Sequence, residues 1–429
     1  MKKLVSAATL LLTLISVSAQ TLIESPYSRY GLGEINTNTN AHYFSMGGTS
    51  IGFRSPFQIN TANPASYSAF DSLAFLFTGG FIGQYSMQES DGAKAYPVSI
   101  SFNSFAFGFR LAPFWGTAFG LQPYSSVGYE MSSSHELDSV SSYNAVYSGS
   151  GGLNKVWWGN SFKLLPGLSI GANTSYLFGT IERERKIVFD SAGFYNTKNT
   201  VSRFINDFSF DAGLQYQFII KRDTGALNNH TWLTLGAVAG LPGSLHASED
   251  NLTQRYWVYG GADYVIDTIS VINNVEGEVS LPLYYGAGIA INNRKWTLGA
   301  DFRMQDWSSY EAFGESDSLQ NSMSLSIGGS LIPDNSSIAK YYKKITYMAG
   351  FHYDKTYLQL RGTQLTKIGI SFGMVLPLKP VYQNRSSIKL GFEVGQMGTT
   401  DQSLIKEQYF RFVFGINIKE HWFEKRRYN

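Results

Sequence analysis

Catalysis and metal binding need particular side chains at particular spacings, and this chain offers few. Its six histidines, His42, His135, His230, His246, His352 and His421, show no metal-ligand spacing. With no cysteine anywhere, neither a thiolate metal site nor a disulfide can form. Ser148-Gly149-Ser150-Gly151-Gly152 is glycine-rich, but Lys155 stands at the wrong offset for a phosphate-cradling loop. No Gly-x-Ser-x-Gly nucleophile elbow occurs. His352 and Asp354 share a strand face, which fits either a dispersed Ser/His/Asp hydrolase set or the polarity of an inner wall; the second reading is simpler. The chemistry on offer is non-covalent: no enzyme, no cofactor and no metal are implied.

The elements that carry these residues are strands. Period-two alternation is cleanest over 295–307, where Trp296, Leu298, Ala300, Phe302 and Met304 alternate with Lys295, Thr297, Gly299, Asp301, Arg303 and Gln305. Ile368, Ile370, Phe372, Met374 and Leu376 alternate with Lys367, Gly369, Ser371 and Gly373, and Ile388, Leu390, Phe392 and Val394 with Lys389, Gly391, Glu393 and Gly395. Phe410, Phe412, Phe414, Ile416 and Ile418 alternate with Tyr409, Arg411, Val413, Gly415 and Asn417. Aromatic residues make up 15% and charged residues 15%, well below the roughly 25% charged of soluble proteins. Formal charge is +2 with no basic stripe outside Lys425-Arg426-Arg427, which gives nucleic acid no footing. A soluble sandwich also alternates. Here, though, the polar face is rich in glycine, and the segments run to about 9–11 residues or more, the length of a membrane-spanning strand. The reading is all-β: a transmembrane antiparallel β-barrel of about fourteen strands, with lipid on one face and a polar lumen on the other.

Lys2 and Lys3, an apolar run over residues 4–17 and the small-residue site before Gln20 predict a secretory signal peptide over 1–19. Residues 20–70 are polar, rich in Gly, Asn and Ser, and lack alternation; they predict either a flexible tail or a hatch folded into the lumen, with Tyr27, Tyr30, Tyr43, Phe44 and Phe53 as anchors. The barrel is placed at 71–418 and a periplasmic basic tail at 419–429. Tight connections at 113–114, 165–166 and 292–293 and long polar ones at 132–143, 190–200, 242–276 and 308–319 alternate as periplasmic turns and external loops would, putting both termini in the periplasm and the protein in the outer membrane of a Gram-negative cell.

With those elements in place, the order of short motifs resembles the FadL/TodX family of outer-membrane transporters of hydrophobic compounds. Met46-Gly47-Gly48 and Asn63-Pro64-Ala65 sit where that family has its hatch motifs, just before the first strand. Gly151-Gly152-Leu153, Trp296 with Asp301, Asp306-Trp307 and Gly369-Ile370-Ser371-Phe372-Gly373 follow in order. The chain departs from the pattern in continuing past Ile418 through Trp422 and Phe423 to its basic tail, as a divergent branch of the family does.

The resemblance implies passive uptake of a hydrophobic small molecule, of the long-chain fatty acid or aromatic hydrocarbon class, by hatch movement and lateral exit through the wall into lipid. Some proteins of this shape instead serve as non-transporting subunits or plugs of larger outer-membrane secretion or assembly complexes, so other outer-membrane proteins stand beside lipid and a small-molecule ligand as partners. Lateral exit needs missing inter-strand hydrogen bonds. Pro123 lacks an N–H, and the phase slip from Val98, Ile100 and Phe102 to Phe105, Phe107 and Phe109 implies a bulge near Asn103-Ser104; the opening is expected at Asn103, Ser104 and Pro123. Leu245, Tyr256, Trp257 and Tyr259, in the presumed loop 242–276, form a candidate ligand-gathering cluster. Trp115, Trp157, Trp158, Trp232, Trp296 and Trp307 are expected as interfacial anchors.

Overall fold

Alternation of this kind closes into a cylinder only when the last strand finds the first. In the computed structural model it does: Ala74–Ser90 (β1) pairs along its length with Lys406–His421 (β14), from Ala74 opposite His421 to Glu89 opposite Lys406. The structure describes residues 25–421 except 37–39, 73, 91, 138–140, 192–193, 224–229, 335, 337–338 and 379–385. The expected signal peptide and nearly all of the basic tail lie outside the described residues.

Between β1 and β14 the wall runs in chain order through antiparallel neighbours. These are Val98–Ala112 (β2), Trp115–Pro123 with Ser125–Leu137 (β3), Ser141–Leu165 (β4), Leu168–Phe189 (β5) and Asn196–Lys221 (β6). Then come Thr231–Gly240 with Gly243–Tyr259 (β7), Ala262–Leu281 with Tyr284–Asn292 (β8), Trp296–Gln305 (β9) and Ser322–Leu331 (β10). Thr346–Leu360 (β11), Thr363–Pro377 (β12) and Ser387–Met397 (β13) complete the circle. The result is a closed fourteen-strand antiparallel barrel. Among the described residues no helix is long and apolar enough to cross a membrane. The barrel crosses instead: Leu298, Ile327, Ile370, Phe372, Val394 and Phe410 face outward and exposed, while Asp301, Ser326, Ser371 and Glu393 face inward and buried.

Two expected loops are corrected. Residues 242–276 are not a loop but a long β-hairpin, Gly243–Tyr259 against Ala262–Leu281, closed by Gly260-Gly261. Loop 132–143 likewise is mostly strand, with β3 reaching Leu137 and β4 starting at Ser141. Beyond the lipid both faces meet water, so selection for alternation lapses while β-branched residues still favour strand. Register shifts also leave Ile266, Ile269 and one residue of Asn273-Asn274, which together face Asp250, as extras on the hairpin's second strand, and this breaks period two.

The N-terminal segment fills the lumen, as the hatch reading expected, and lies directly on the wall. Wall glycines make this possible. A Cβ on Gly116 would stand 2.0 Å from the Tyr67 carbonyl oxygen, on Gly213 2.2 Å from Asn63 Oδ1, on Gly236 2.3 Å from the Ile51 oxygen, and on Gly328 2.0 Å from the Met46 oxygen. Gly171 against Pro64, Gly350 against Met46 and Gly373 against Ser45 continue the belt around the cylinder. The glycine-rich lumenal face is thus the hatch's seat.

Candidate functional site

Among the described residues, the wall has a discontinuity beside the hatch strand. β2 pairs with β3 only from Phe105 to Ala112, opposite Leu121 to Trp115. Among the described residues, the ladder partners of its earlier half lie in β1, from Val98 to Phe102 and at Ser104, and its ladder to β3 begins at Phe105. Past Tyr124, the upper part of β3 pairs with β4 on one side; on the other, its ladder partner among the described residues is the two-residue hatch strand Glu34–Ile35, with Glu34 opposite Ser126 and Ile35 opposite Ser125. The Asn36 amide donates to the Tyr124 carbonyl at 2.9 Å and the Ser25 amide to Gly128 at 3.1 Å, extending that edge contact. Asn103 is the unpaired residue of a bulge, since Ser104 faces Gly80 while Phe102 faces Phe81. Pro123 ends the lower half of β3 opposite Asn154. Asn103, Ser104 and Pro123 therefore stand together around this break.

An ionic cluster fastens the hatch strand. The Glu34 carboxylate accepts from Lys367 Nζ at 2.7 Å and from Arg411 Nη2 at 2.9 Å. Behind it, Arg411 Nη1 lies 3.8 Å from Glu393, and Glu393 lies 3.5 Å from His352 Nε2, whose Nδ1 is 2.7 Å from Asp354. Burial alone would raise the Glu34 carboxyl; the two cations outweigh it and hold it well below the usual carboxylate range. Sequence reasoning noticed Lys367, Glu393 and Arg411 on polar faces and His352 with Asp354, but passed over Glu34. Its signal was available only as three charged residues aimed inward from nearby strands.

Two cavities flank the hatch strand. The larger, about 290 Å³, is lined on its apolar side by Tyr124, Leu281, Trp307, Met323, Tyr357 and Leu358. The smaller, about 120 Å³, reaches Ser99, Phe102, Asn103, Pro123 and Ser126 at the break. Glu34, Ile35 and Asn36 line both, so this strand is the partition.

The hatch motifs are docking devices. Gly47 and Gly48 adopt φ +67° and +81°, which glycine accepts without strain, and a Cβ on Gly47 would meet the Phe351 backbone at 2.7 Å. The Gly47 amide donates to Ser371 Oγ at 2.7 Å. Asn63 caps the 3₁₀ turn Pro64–Ala69 by accepting from the Ala65 amide at 3.1 Å, and its Nδ2 donates to the Ile51 carbonyl at 2.9 Å. Asp301, noted in sequence beside Trp296, accepts from the Ser50 and Ile51 amides at 2.6 and 2.8 Å. The four residues of the presumed gathering loop do not converge. Leu245 and Tyr256 are buried, Leu245 in the apolar cluster that holds Trp307 and Tyr310, whereas Trp257 and Tyr259 are exposed. Among the described residues no acidic or histidine group is arranged to hold a metal ion. Trp157 and Trp307 are buried inside rather than placed at the lipid interface, while Trp158 is exposed.

The closed fourteen-strand barrel has counterparts among solved structures. The fold matches a FadL homologue of Pseudomonas aeruginosa at TM-score 0.55 and 12% identity, covering 91% of this chain and 100% of that one. It matches the toluene transporter TodX of Pseudomonas putida at 0.56 and 15%, covering 91% and 100%. It also matches the toluene transporter TbuX of Ralstonia pickettii at 0.55 and 13%, covering 90% and 99%. No curated protein sequence matches. The BamG family model matches residues 1–429, and the chain belongs to the BamG family.

Proposed function

We propose that this protein is an outer-membrane channel that takes a small hydrophobic molecule into the lumenal cavity and releases it sideways into lipid at the β2–β3 break, with the hatch strand Glu34–Ile35 as the stopper. The observation that carries the reading is the position of that strand: it fills the place where β2 leaves β3 unpaired, with a cavity on either side. Opening would require breaking the Glu34 latch, the two rungs to Ser125 and Ser126, and the flanking bonds of Gly33 to Tyr357 and Asn36 to Tyr124, not moving the whole hatch. The hairpin end of the barrel would face outward and both termini the periplasm. The toluene transporters of like fold suggest a monoaromatic or similar apolar cargo, and the predominantly apolar side of the larger cavity suits one.

The absence of native cysteines makes a direct test simple. An Ile35→Cys/Ser125→Cys pair, placed in register, would tie the stopper to the wall. In proteoliposomes, oxidation should stop toluene entry and reduction should restore it; equal entry in both states would discard lateral exit here.

A second reading has its own support. Seating of residues 41–70 on a belt of wall glycines suits a permanently plugged barrel, serving as a subunit of a larger outer-membrane complex. Absence of toluene entry in the reduced protein would favour it.

A further inference from the structure

The hairpin that replaces the expected loop ends in an unusual edge. Among the described residues, 262–276 of β8 are exposed throughout and pair only with the preceding strand; the free side is next met by the Phe313 amide on the Glu278 carbonyl at 2.9 Å and by Ala312 opposite Val279. The membrane-spanning part of β8 is Tyr284–Asn292, alongside the ten-residue β9, so this edge projects beyond the lipid. It is nonetheless apolar: Val265, Ile266, Ile269, Val271, Ile272 and Val275 are each at least 43% exposed, and Tyr259 at the tip is 79% exposed. An unpaired row of backbone donors and acceptors lined by β-branched side chains in water is a template for another strand, and proteins rarely leave one uncovered.

We infer that this edge is a docking site for an extended, basic segment of another envelope protein, which adds to the hairpin as a further strand. Three observations select that occupant. The free main chain calls for a partner with its own N–H and C=O groups, which lipid lacks. Ala262–Leu281 carries four acids and no base. Asp263 is matched by Lys186 and Asp267 by Arg255, whereas Glu276 and Glu278 have no cation within ion-pair distance among the described residues; Glu278 accepts only from the Ser244 hydroxyl at 2.5 Å, so both acids leave negative charge for Lys or Arg on the partner. The extra residues at Ile266, Ile269 and within Asn273-Asn274 interrupt the ladder, so a second copy of the same edge would not stay in register, while a matched segment can. The site exists whether or not the lumen conducts.

The test uses the whole protein in its native envelope, with a photoreactive side chain placed in turn at positions 263 to 272. Docking by strand addition predicts adducts to one protein of different mass. Their yield should alternate between neighbouring positions away from the extra residues and fall about tenfold in an E276K/E278K variant that still migrates as a folded barrel. Adducts of twice the chain mass, adducts to lipid alone, yields flat along the strand, or yields indifferent to charge reversal would each overturn the inference.

Discussion

Glu34 and Arg411 meet at 2.9 Å across the lumen, joining the start of the hatch to the last strand of the wall. Lys367 approaches the same carboxylate oxygen at 2.7 Å, so one acid holds two cations from two strands. All three side chains are mostly shielded from solvent, and charge-assisted hydrogen bonds are strongest where water is scarce.

Replacing that acid should therefore loosen the stopper without unfolding the barrel. Glu34→Gln keeps the shape but removes the charge, leaving Arg411 to Glu393 and Gln84. Partial solvent access argues for about 1–3 kcal/mol rather than the 3–5 of a fully buried pair. Amide exchange at residues 25–36 should accelerate about tenfold or more, with exchange across β5 and β6 unchanged. Equal protection in both proteins would show that the latch is not what holds the strand.

The glycine belt makes a second, opposite kind of prediction. Gly116→Ala would put a methyl 2.0 Å from the Tyr67 oxygen, and Gly350→Ala one 2.1 Å from the Met46 carbonyl carbon. Backbone, not a pliable side-chain tip, stands in the way, so the hatch must lift locally at a cost of about 1–3 kcal/mol. Gly243, with nothing within 4 Å of its would-be Cβ, is the control. Limited proteolysis of the folded barrel should cut residues 41–70 faster in the first two variants and at the wild-type rate in Gly243→Ala.

These residues also mark how far the sequence could be read. The strands in the membrane were legible because two solvents enforce two faces; Leu298 and Asp301, or Phe372 and Ser371, declare their sides by type alone. The hatch was legible as a stretch without alternation, and the wall's glycines hinted at something packed against them. The bulge at Asn103 and the strand end at Pro123 left a trace as a phase slip and a proline. The hairpin past Gly243 was not legible, since its outer part faces water on both sides and its extra residues scramble the period. Nor was Glu34: its partners lie 333 and 377 positions away, and no local pattern encodes which inward charge a plug will meet.

Acidification tests the latch without mutation. Because the docked Glu34 holds its carboxyl below the ordinary value of 4.5, its contribution is fully present above that value and declines as pH falls below it, toward the docked value. Hatch protection measured by exchange at residues 25–36 should thus be flat with respect to this group from pH 7 to about 5, then decrease on further acidification. In Glu34→Gln the same descent should be shallower. Identical acid profiles in the two proteins would remove Glu34 from the account.

Asp301 anchors the hatch's middle as Glu34 anchors its start, and the two should be separable. Its carboxylate accepts from two consecutive hatch amides, Ser50 and Ile51, and lies 3.6 Å from Arg303, which itself donates to Ser50 Oγ at 2.6 Å. Asp301→Asn keeps the volume but can turn an NH₂ toward amides that need an acceptor, costing about 1–3 kcal/mol of local docking. The loss should appear as faster exchange at Ser50, Ile51 and neighbouring hatch amides, not at Ile35. Glu34 and Asp301 share no hydrogen-bond partner among the described residues, so a Glu34→Gln/Asp301→Asn double variant should show the two losses adding within about 0.5 kcal/mol. If one substitution instead releases the entire segment from 25 to 70, the hatch moves as a single body, and a stopper that opens on its own is ruled out.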